Sequence, residues 1–538
     1  MGVWECGRPH AREAIVNMGI VGLAILLPLL LCAGSAKADD LGLWVDHSTV
    51  KILRDAVPTA NPRSSAELFA ARREWESFQI ALRTKSAPVT NVRAEVSDLT
   101  QIGGRGVIPA ACVPLNLVEY VSIPMPANVP YPDPLPPLRK FDLRPGQTQP
   151  IWATVKVPET CPPGDYEGAI TIRGDKMPAR KVPIRLHVWD FSLPVTPRCT
   201  TAFGITMDHV ARVHGVTGDA AKTLDLHKKY YEMLLDYKIS CYFIPADLKS
   251  PEAKPYLEDP RMTSYTIPYL ENDDQLRELI EYLARNDYFK KGYFYPIDEP
   301  VNRDSYDRMA AMARRLRSIE PRYRLVVPFF RGPDFAEGKT IWDFALGQVN
   351  IWCPNEHYFD LEKRTRAFMQ LRRNMGDDVW WYVCCGPGQP YTNFFVDLPG
   401  MAHRMLFWHQ KRENIDGLLY WSTTYWNPAS GCDDPWKSMQ TVKDINPNLS
   451  GDGSLMYPGK PVGIDGPVAS VRLAIIRDGI EDFDYLCLAE ELLGPRAAQG
   501  YVRRLAKNLT AYETDPWKLE AVRGDLGKAI ESATDGHR

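Results

Sequence analysis

Two hydrophobic patterns divide the chain. From Leu41 to about Pro197, apolar and polar residues alternate over short runs: ESFQIALRT (76–84), IWATVKVP (151–158), YEGAITIRG (166–174) and VPIRLHVWD (182–190). Successive side chains of a strand point to opposite faces, so alternation with period two marks half-buried strands. Turn residues such as PPGD (162–165) separate the runs at regular intervals, which predicts an antiparallel β-sandwich over residues 39–197. No segment here has helical periodicity long enough for a helix. The stretch DFSLPVTPR (190–198), with two prolines, reads as the linker that ends this domain.

After Cys199, apolar strand-like runs alternate with amphipathic helical ones. The strand candidates are TTAFGITMD (200–208), ISCYFIP (239–245), SYTIPYL (264–270), GYFYPI (292–297), RLVVPFF (324–330), VNIWCP (349–354), VWWYVCCG (379–386) and GLLYWST (417–423). Helical candidates between them include residues 220–237, 273–286 and 303–319. Strand–helix alternation implies parallel strands with crossover helices. Eight such units predict a (β/α)8 TIM-type barrel over 198–450, giving a multidomain α/β chain. A doubly wound open sheet is the alternative, but no G-x-G-x-x-G turn follows any strand. Residues 451–538 carry a strand-like VRLAIIRDG (471–479) and a helical EDFDYLCLAEELL (481–493), and are expected to complete or flank the barrel.

Three further properties narrow the class. Arg8 and Arg12 precede the apolar run GIVGLAILLPLLL (19–31), and an A-x-A site follows at Ala36–Ala38. That arrangement predicts a signal peptide over 1–38, with export to the periplasm or beyond, or an N-terminal anchor if it is not cleaved. The 538 residues carry a formal charge of −3, which offers no electrostatic reason for a nucleic-acid or anionic-membrane partner. Nine of the 11 cysteines lie beyond Cys6 and Cys32, without a C-x-x-C pair, and H-E-x-x-H is absent. Neither a metal nor a cofactor is expected.

The stretch KGYFYPIDEP (291–300) ends the fourth predicted strand on two acids and a proline. Barrel chemistry sits at the C-terminal ends of strands, which is where Asp298 and Glu299 would lie. Adjacent residues have Cα atoms only about 3.8 Å apart, so two neighbours do not easily flank a glycosidic bond from opposite sides. One can act as general acid while the other orients a nucleophile carried by the substrate, such as a 2-acetamido group. Pro300 should push Glu299 toward extended backbone. Aromatic residues gather on the last three strands, and Trp380, Tyr382, Trp421 and Trp426 are candidates for stacking on a sugar. Alternation puts Trp380 and Tyr382 on one face and Trp381 on the other. Asn355, His357 and Asp208 are polar candidates at strand ends.

Together these stretches resemble glycoside hydrolase family 123. The resemblance runs through WESFQ (75–79), PPGDYEG (162–168), VWDFSLP (188–194), DEP (298–300), WWY (380–382), GLLYW (417–421), GDGSLMYPG (451–459) and RDGIEDFDYL (477–486). It implies an N-terminal β-sandwich, a (β/α)8 catalytic domain and retaining β-N-acetylgalactosaminidase activity by substrate assistance. By that resemblance Glu299 would be the general acid/base and Asp298 the residue that orients the acetamido group; Tyr382, from its position and chemistry, is a candidate for a hydrogen bond to the acetamido oxygen. The partner implied is a glycan with a terminal 2-acetamido sugar. Two other readings stay open: a glycosidase of different specificity with a separate nucleophile such as Glu356, and a carbohydrate-binding protein without activity. Arg477 is expected to pair with acids at a helix start.

Overall fold

The computed structural model describes residues 40–123, 129–335 and 338–536. The signal-peptide reading of residues 1–38, with Cys6 and Cys32, lies outside them. Among the described residues no helix is long and apolar enough to cross a membrane.

The first part of the chain is mostly strand. One sheet orders Leu41–His47, Trp75–Thr84, Thr148–Lys156 and Leu115–Leu117. The second orders Phe141–Leu143, Val89–Val96, Gly164–Gly174, Met177–Ser192 and Ala66–Arg72. Alternate residues from both sheets, among them Ile80, Leu82, Ile151, Ile170, Ile172 and Ile184, share one buried cluster. Pairing is antiparallel except at the edge, where Ala66–Arg72 runs parallel to Met177–Ser192. These two strands are distant in sequence, so no hairpin turn obliges them to run in opposite directions.

From Thr200 to Tyr420 the strands are short and parallel, and a small antiparallel pair, Tyr457–Pro458 with Pro467–Val468, follows. Five form a sheet in the order Thr200–Phe203, Gly417–Tyr420, Asp378–Tyr382, Ile351–Pro354 and Val326–Phe329. Two more, Tyr265–Thr266 and Gly292–Tyr293, form a separate pair. Among the described residues, the eight-stranded ladder expected from the sequence does not form one continuous closed sheet. One or two backbone bonds span each interval, among them Phe203 N–H to Ser240 O (2.9 Å), Tyr242 N–H to Phe203 O (2.9 Å), Thr266 N–H to Tyr242 O (2.7 Å) and Phe294 N–H to Arg324 O (2.7 Å). The strands' alternation sorts their side chains. Ala202, Tyr293, Val326, Ile351, Trp380, Tyr382 and Leu419 meet on one side. Phe203, Leu325, Val327, Trp352, Trp381 and Leu418 join the helices on the other. The helices Ala220–Asp236, Asp273–Arg285 and Arg303–Ile319 lie where the amphipathic pattern placed them. The latter two start on Asn272 and Asn302, whose side chains accept from the third residue of the helix.

The C-terminal part corrects one expectation. Residues 471–479 are not a strand; Val471–Leu493 is a single helix of 23 residues, capped by the Ser470 side chain. Its residues from Val471 to Leu486 are all buried. A helix surrounded by protein needs no polar stripe and therefore loses the helical period. At Gly479 an added Cβ would stand 2.2 Å from the Phe407 ring, so glycine sets how closely this helix meets Gly400–Arg412. Arg477 lies well inside the helix rather than at its start. It pairs with Asp478 (2.6 Å) and donates to Ser77 of the sandwich (2.9 Å). The helix Pro516–Gly536 contributes Arg523, which binds Glu76 (2.8 Å), Asp482 (2.6 Å) and Glu74. The sandwich and the C-terminal helices are thus joined through buried, paired charges, which limits the desolvation penalty that each would carry alone.

Candidate active site

The strand Gly292–Tyr293 is followed by one bridge residue, Phe294, and then by irregular chain that carries Asp298 and Glu299. Glu299 has φ +39°, in the left-handed region, instead of the extended backbone that Pro300 was expected to impose. Such a conformation is costly for a residue with a Cβ and persists only where its surroundings enforce it. One of those surroundings is Tyr382, whose hydroxyl donates to Glu299 Oε1. Tyr295, three residues before Asp298, donates its hydroxyl to Asp298 Oδ1 at 2.8 Å. Each acid of the pair therefore has its own tyrosine.

Both acids open into a cavity of about 260 Å³. Tyr382, Leu419 and Pro328 supply part of its wall from the strands, and Tyr295 from just past one. Trp421 and Tyr425 supply rings 4.6 Å apart, and Cys384, Cys385, Asp444 and Asp452 also line it. Burial raises the Glu299 carboxyl above its ordinary pKa; the Tyr382 hydroxyl opposes this and the Asp298 charge adds to it. Glu299 thus holds its proton better than a free glutamate, as a proton donor must. The Cys384 and Cys385 sulfurs lie 3.8 Å apart, as two thiols.

The sequence candidates separate into two groups. Asp298, Glu299, Tyr382 and Trp421 line the one cavity. Trp380 lies beneath it, edge-on to Tyr293 at 5.3 Å, fully buried on the inner side of the strands. Trp426 is buried among the helices, with its indole N–H on Ser454 at 2.9 Å. Asn355 is buried beside Tyr382, donates to Gly386 O at 3.1 Å, and holds His357 through its side-chain oxygen. Asp208 does not end the first strand but sits in the first turn of the helix Met207–His214, away from the cavity wall. None of these five residues lines the cavity. Glu356 is fully buried, accepts from the Thr392 hydroxyl at 2.7 Å and faces His409 Nδ1 at 3.3 Å, so it too lies off the cavity.

Asp452 was missed. It is 1% exposed, accepts from the Tyr420 hydroxyl (3.1 Å) and the Trp421 indole N–H (3.2 Å), and reaches the cavity through a loop after the last strand. The signal available was an acid between two glycines within GDGSLMYPG. Gly453 has φ +67°, and a Cβ there would fall 2.2 Å from the Trp421 ring. Only glycine lets the loop pass under that ring.

Comparison with known proteins agrees with this architecture. The model of the glycoside hydrolase 123 catalytic domain matches residues 224–489, and that of the glycoside hydrolase 123 N-terminal domain matches residues 50–174. No curated protein matches the chain by sequence. A family 123 glycoside hydrolase from Clostridium perfringens, solved in a study of glycolipid glycan hydrolysis, superposes with a TM-score of 0.69. It does so at 13% identity over 92% of this chain and 98% of its own. At that identity the likeness is one of fold. A GH2 β-galacturonidase from Eisenbergiella tayi (TM-score 0.31, 12% identity, 82% of this chain and 73% of its own) is similar too loosely to carry an argument. The same holds for a GH5 xyloglucanase from Bacteroides ovatus (0.24, 9%, 78% and 98%). With both of its characteristic domains matched in order along one chain, this protein belongs to glycoside hydrolase family 123 and is a glycoside hydrolase.

Proposed function

We propose that this chain removes terminal β-linked N-acetylgalactosamine with retention, the acetamido group of the substrate acting as nucleophile. The observation that carries the reading is the adjacent pair Asp298–Glu299, open to one cavity and each acid held by its own tyrosine. Glu299 protonates the glycosidic oxygen as the acetamido oxygen attacks the anomeric carbon, and the leaving group departs. Asp298 accepts the acetamido N–H and offsets the positive charge of the oxazolinium ring. Glu299, now ionised, takes a proton from the water that opens that ring, giving the product with its original configuration. Tyr382 is the candidate donor to the acetamido oxygen once substrate is bound.

The parallel strands are read as a (β/α)8 barrel with this pair at the C-terminal end of its fourth strand. The backbone bonds at Phe203, Tyr242, Thr266 and Phe294 support that reading. The Clostridium relative supports glycolipid glycans as one substrate class. Arg8, Arg12 and the apolar run at 19–31 support export.

The test is hydrolysis of aryl β-glycosides of N-acetylgalactosamine, N-acetylglucosamine and galactose by wild type, Glu299→Gln and Asp298→Asn. Cleavage of acetamido sugars only, falling by about 10²–10⁴-fold in Glu299→Gln and severely in Asp298→Asn, is expected. Cleavage of the plain galactoside, or full activity in Asp298→Asn, overturns the reading. A thiazoline mimic of the oxazoline should inhibit competitively.

A further inference from the structure

We propose that Asp452 accepts hydrogen bonds from the sugar hydroxyls remote from the reacting carbon, those on C4 and C6, and so sets which hexosamine the cavity takes. This rests on the hexosaminidase reading above. If Asp298 and Glu299 engage the C1 and C2 groups, a cavity of about 260 Å³ leaves the far side of the ring to its remaining wall. That wall pairs a carboxylate with the Trp421 ring, suited to a sugar whose C–H face stacks while its hydroxyls point to the edge. Glu299 and Asp452 line the same cavity, with Cys385 also on its wall.

The carboxylate is committed but not satisfied. Its two oxygens offer about four acceptor sites, and the Tyr420 hydroxyl and Trp421 indole N–H occupy two. Arg472 is engaged by Asp133 (2.8 Å) and two backbone carbonyls (both 2.9 Å), and no ion pair joins it to Asp452. Burial without a paired cation pushes the Asp452 carboxyl up to about 6. A desolvated acceptor of this kind gains from neutral donors, and sugar hydroxyls are such donors. The same features make Asp452 a poor nucleophile, since Tyr420 and Trp421 already hold its two oxygens. Its backbone is fixed as well: Thr441 donates to its carbonyl at 2.6 Å.

The test compares the aryl β-N-acetylgalactosaminide with its 4-deoxy and 6-deoxy analogues, in wild type and Asp452→Asn, with melting curves to establish folding. Wild type should lose about 10- to 100-fold in kcat/KM on at least one analogue. Asp452→Asn should lose a similar factor on the parent sugar, mainly through KM, yet little more on that analogue. Penalties that simply multiply at both positions, or a folded Asp452→Asn with unchanged kcat/KM, overturn the proposal. Should the variant not fold, the wild-type series decides: equal rates on all three sugars refute it and a tenfold loss supports it. If wild type cleaves no acetamido glycoside, the hexosaminidase reading falls and this inference with it; if it cleaves the parent and the penalties multiply, only this inference falls.

Discussion

Removing the Tyr382 hydroxyl should move the pH profile of the enzyme upward. Tyr382 donates to Glu299 Oε1, and that bond favours the ionised carboxylate. Burial and the Asp298 charge act the other way, and in Tyr382→Phe they are left unopposed. A hydrogen bond to a charged group contributes about 1.5–3 kcal/mol, and one pKa unit corresponds to about 1.4 kcal/mol. The ceiling is therefore about two units. Glu299 is only partly buried, so water replaces some of the lost donor, and about one unit is expected. Glu299 must carry its proton to assist departure of the leaving group, so the alkaline limb of kcat/KM should shift to higher pH by that amount. Because kcat/KM reports the free enzyme, it is the profile that senses a bond present before substrate arrives. The assay is hydrolysis of an aryl β-N-acetylgalactosaminide from pH 4 to 9 at substrate well below KM. A limb that stays in place, or moves to lower pH, would refute the assignment of Glu299 as the acid restrained by Tyr382.

Other substitutions probe the frame around the pair. Gly453→Ala puts a Cβ into the Trp421 ring at 2.2 Å and should cost about a hundredfold in kcat/KM through displacement of that ring, read against a near-normal melting curve. Glu356→Gln should keep hydrolysis near the wild-type rate while lowering the unfolding midpoint; loss of activity in a folded variant would restore Glu356 as a nucleophile. Arg523→Met leaves Glu74, Glu76 and Asp482 buried without their shared cation, a change that costs about 3–5 kcal/mol for a broken buried pair. Chemical denaturation should show a correspondingly lower midpoint, and an unchanged midpoint would mean that these carboxyls take up protons at little cost.

Most of the parallel strands were legible because each is a short, largely apolar run between amphipathic helices, the signature of strands covered on both faces. Residues 239–245, read as a strand too, make only a single bridge at Cys241. The inward and outward sides of Trp380, Trp381 and Tyr382 followed from alternation alone. Alternation does not tell how far along a strand the open end lies, and so Trp380 was placed in the cavity when it lies beneath it. Trp426 and His357 looked like sugar contacts because their residue types suit sugars, whereas their positions are fixed by Ser454 and Asn355. Asp452 was hidden for the opposite reason. Its importance comes from a loop folding back to meet Tyr420 and Trp421, which lie 32 and 31 residues earlier. The helix Val471–Leu493 was split in two because burial on every side erased its period. The left-handed backbone at Glu299 ran against the local rule for a residue before proline, which tertiary contacts overrode.

The charges gathered around Arg523 bear on how this enzyme can be divided or recombined. An accessory sugar-binding module normally hangs from a linker and can be deleted or exchanged without harm to its neighbour. Here the sandwich supplies Glu74, Glu76 and Ser77 to partners that come from the far end of the chain. Severing the protein near residue 197 would expose the apolar underside of the C-terminal helices and leave Arg523 with too few counter-charges. The sandwich is accordingly part of the catalytic body itself. Shuffling it between relatives would require the acids of one partner and the arginine of the other to travel together.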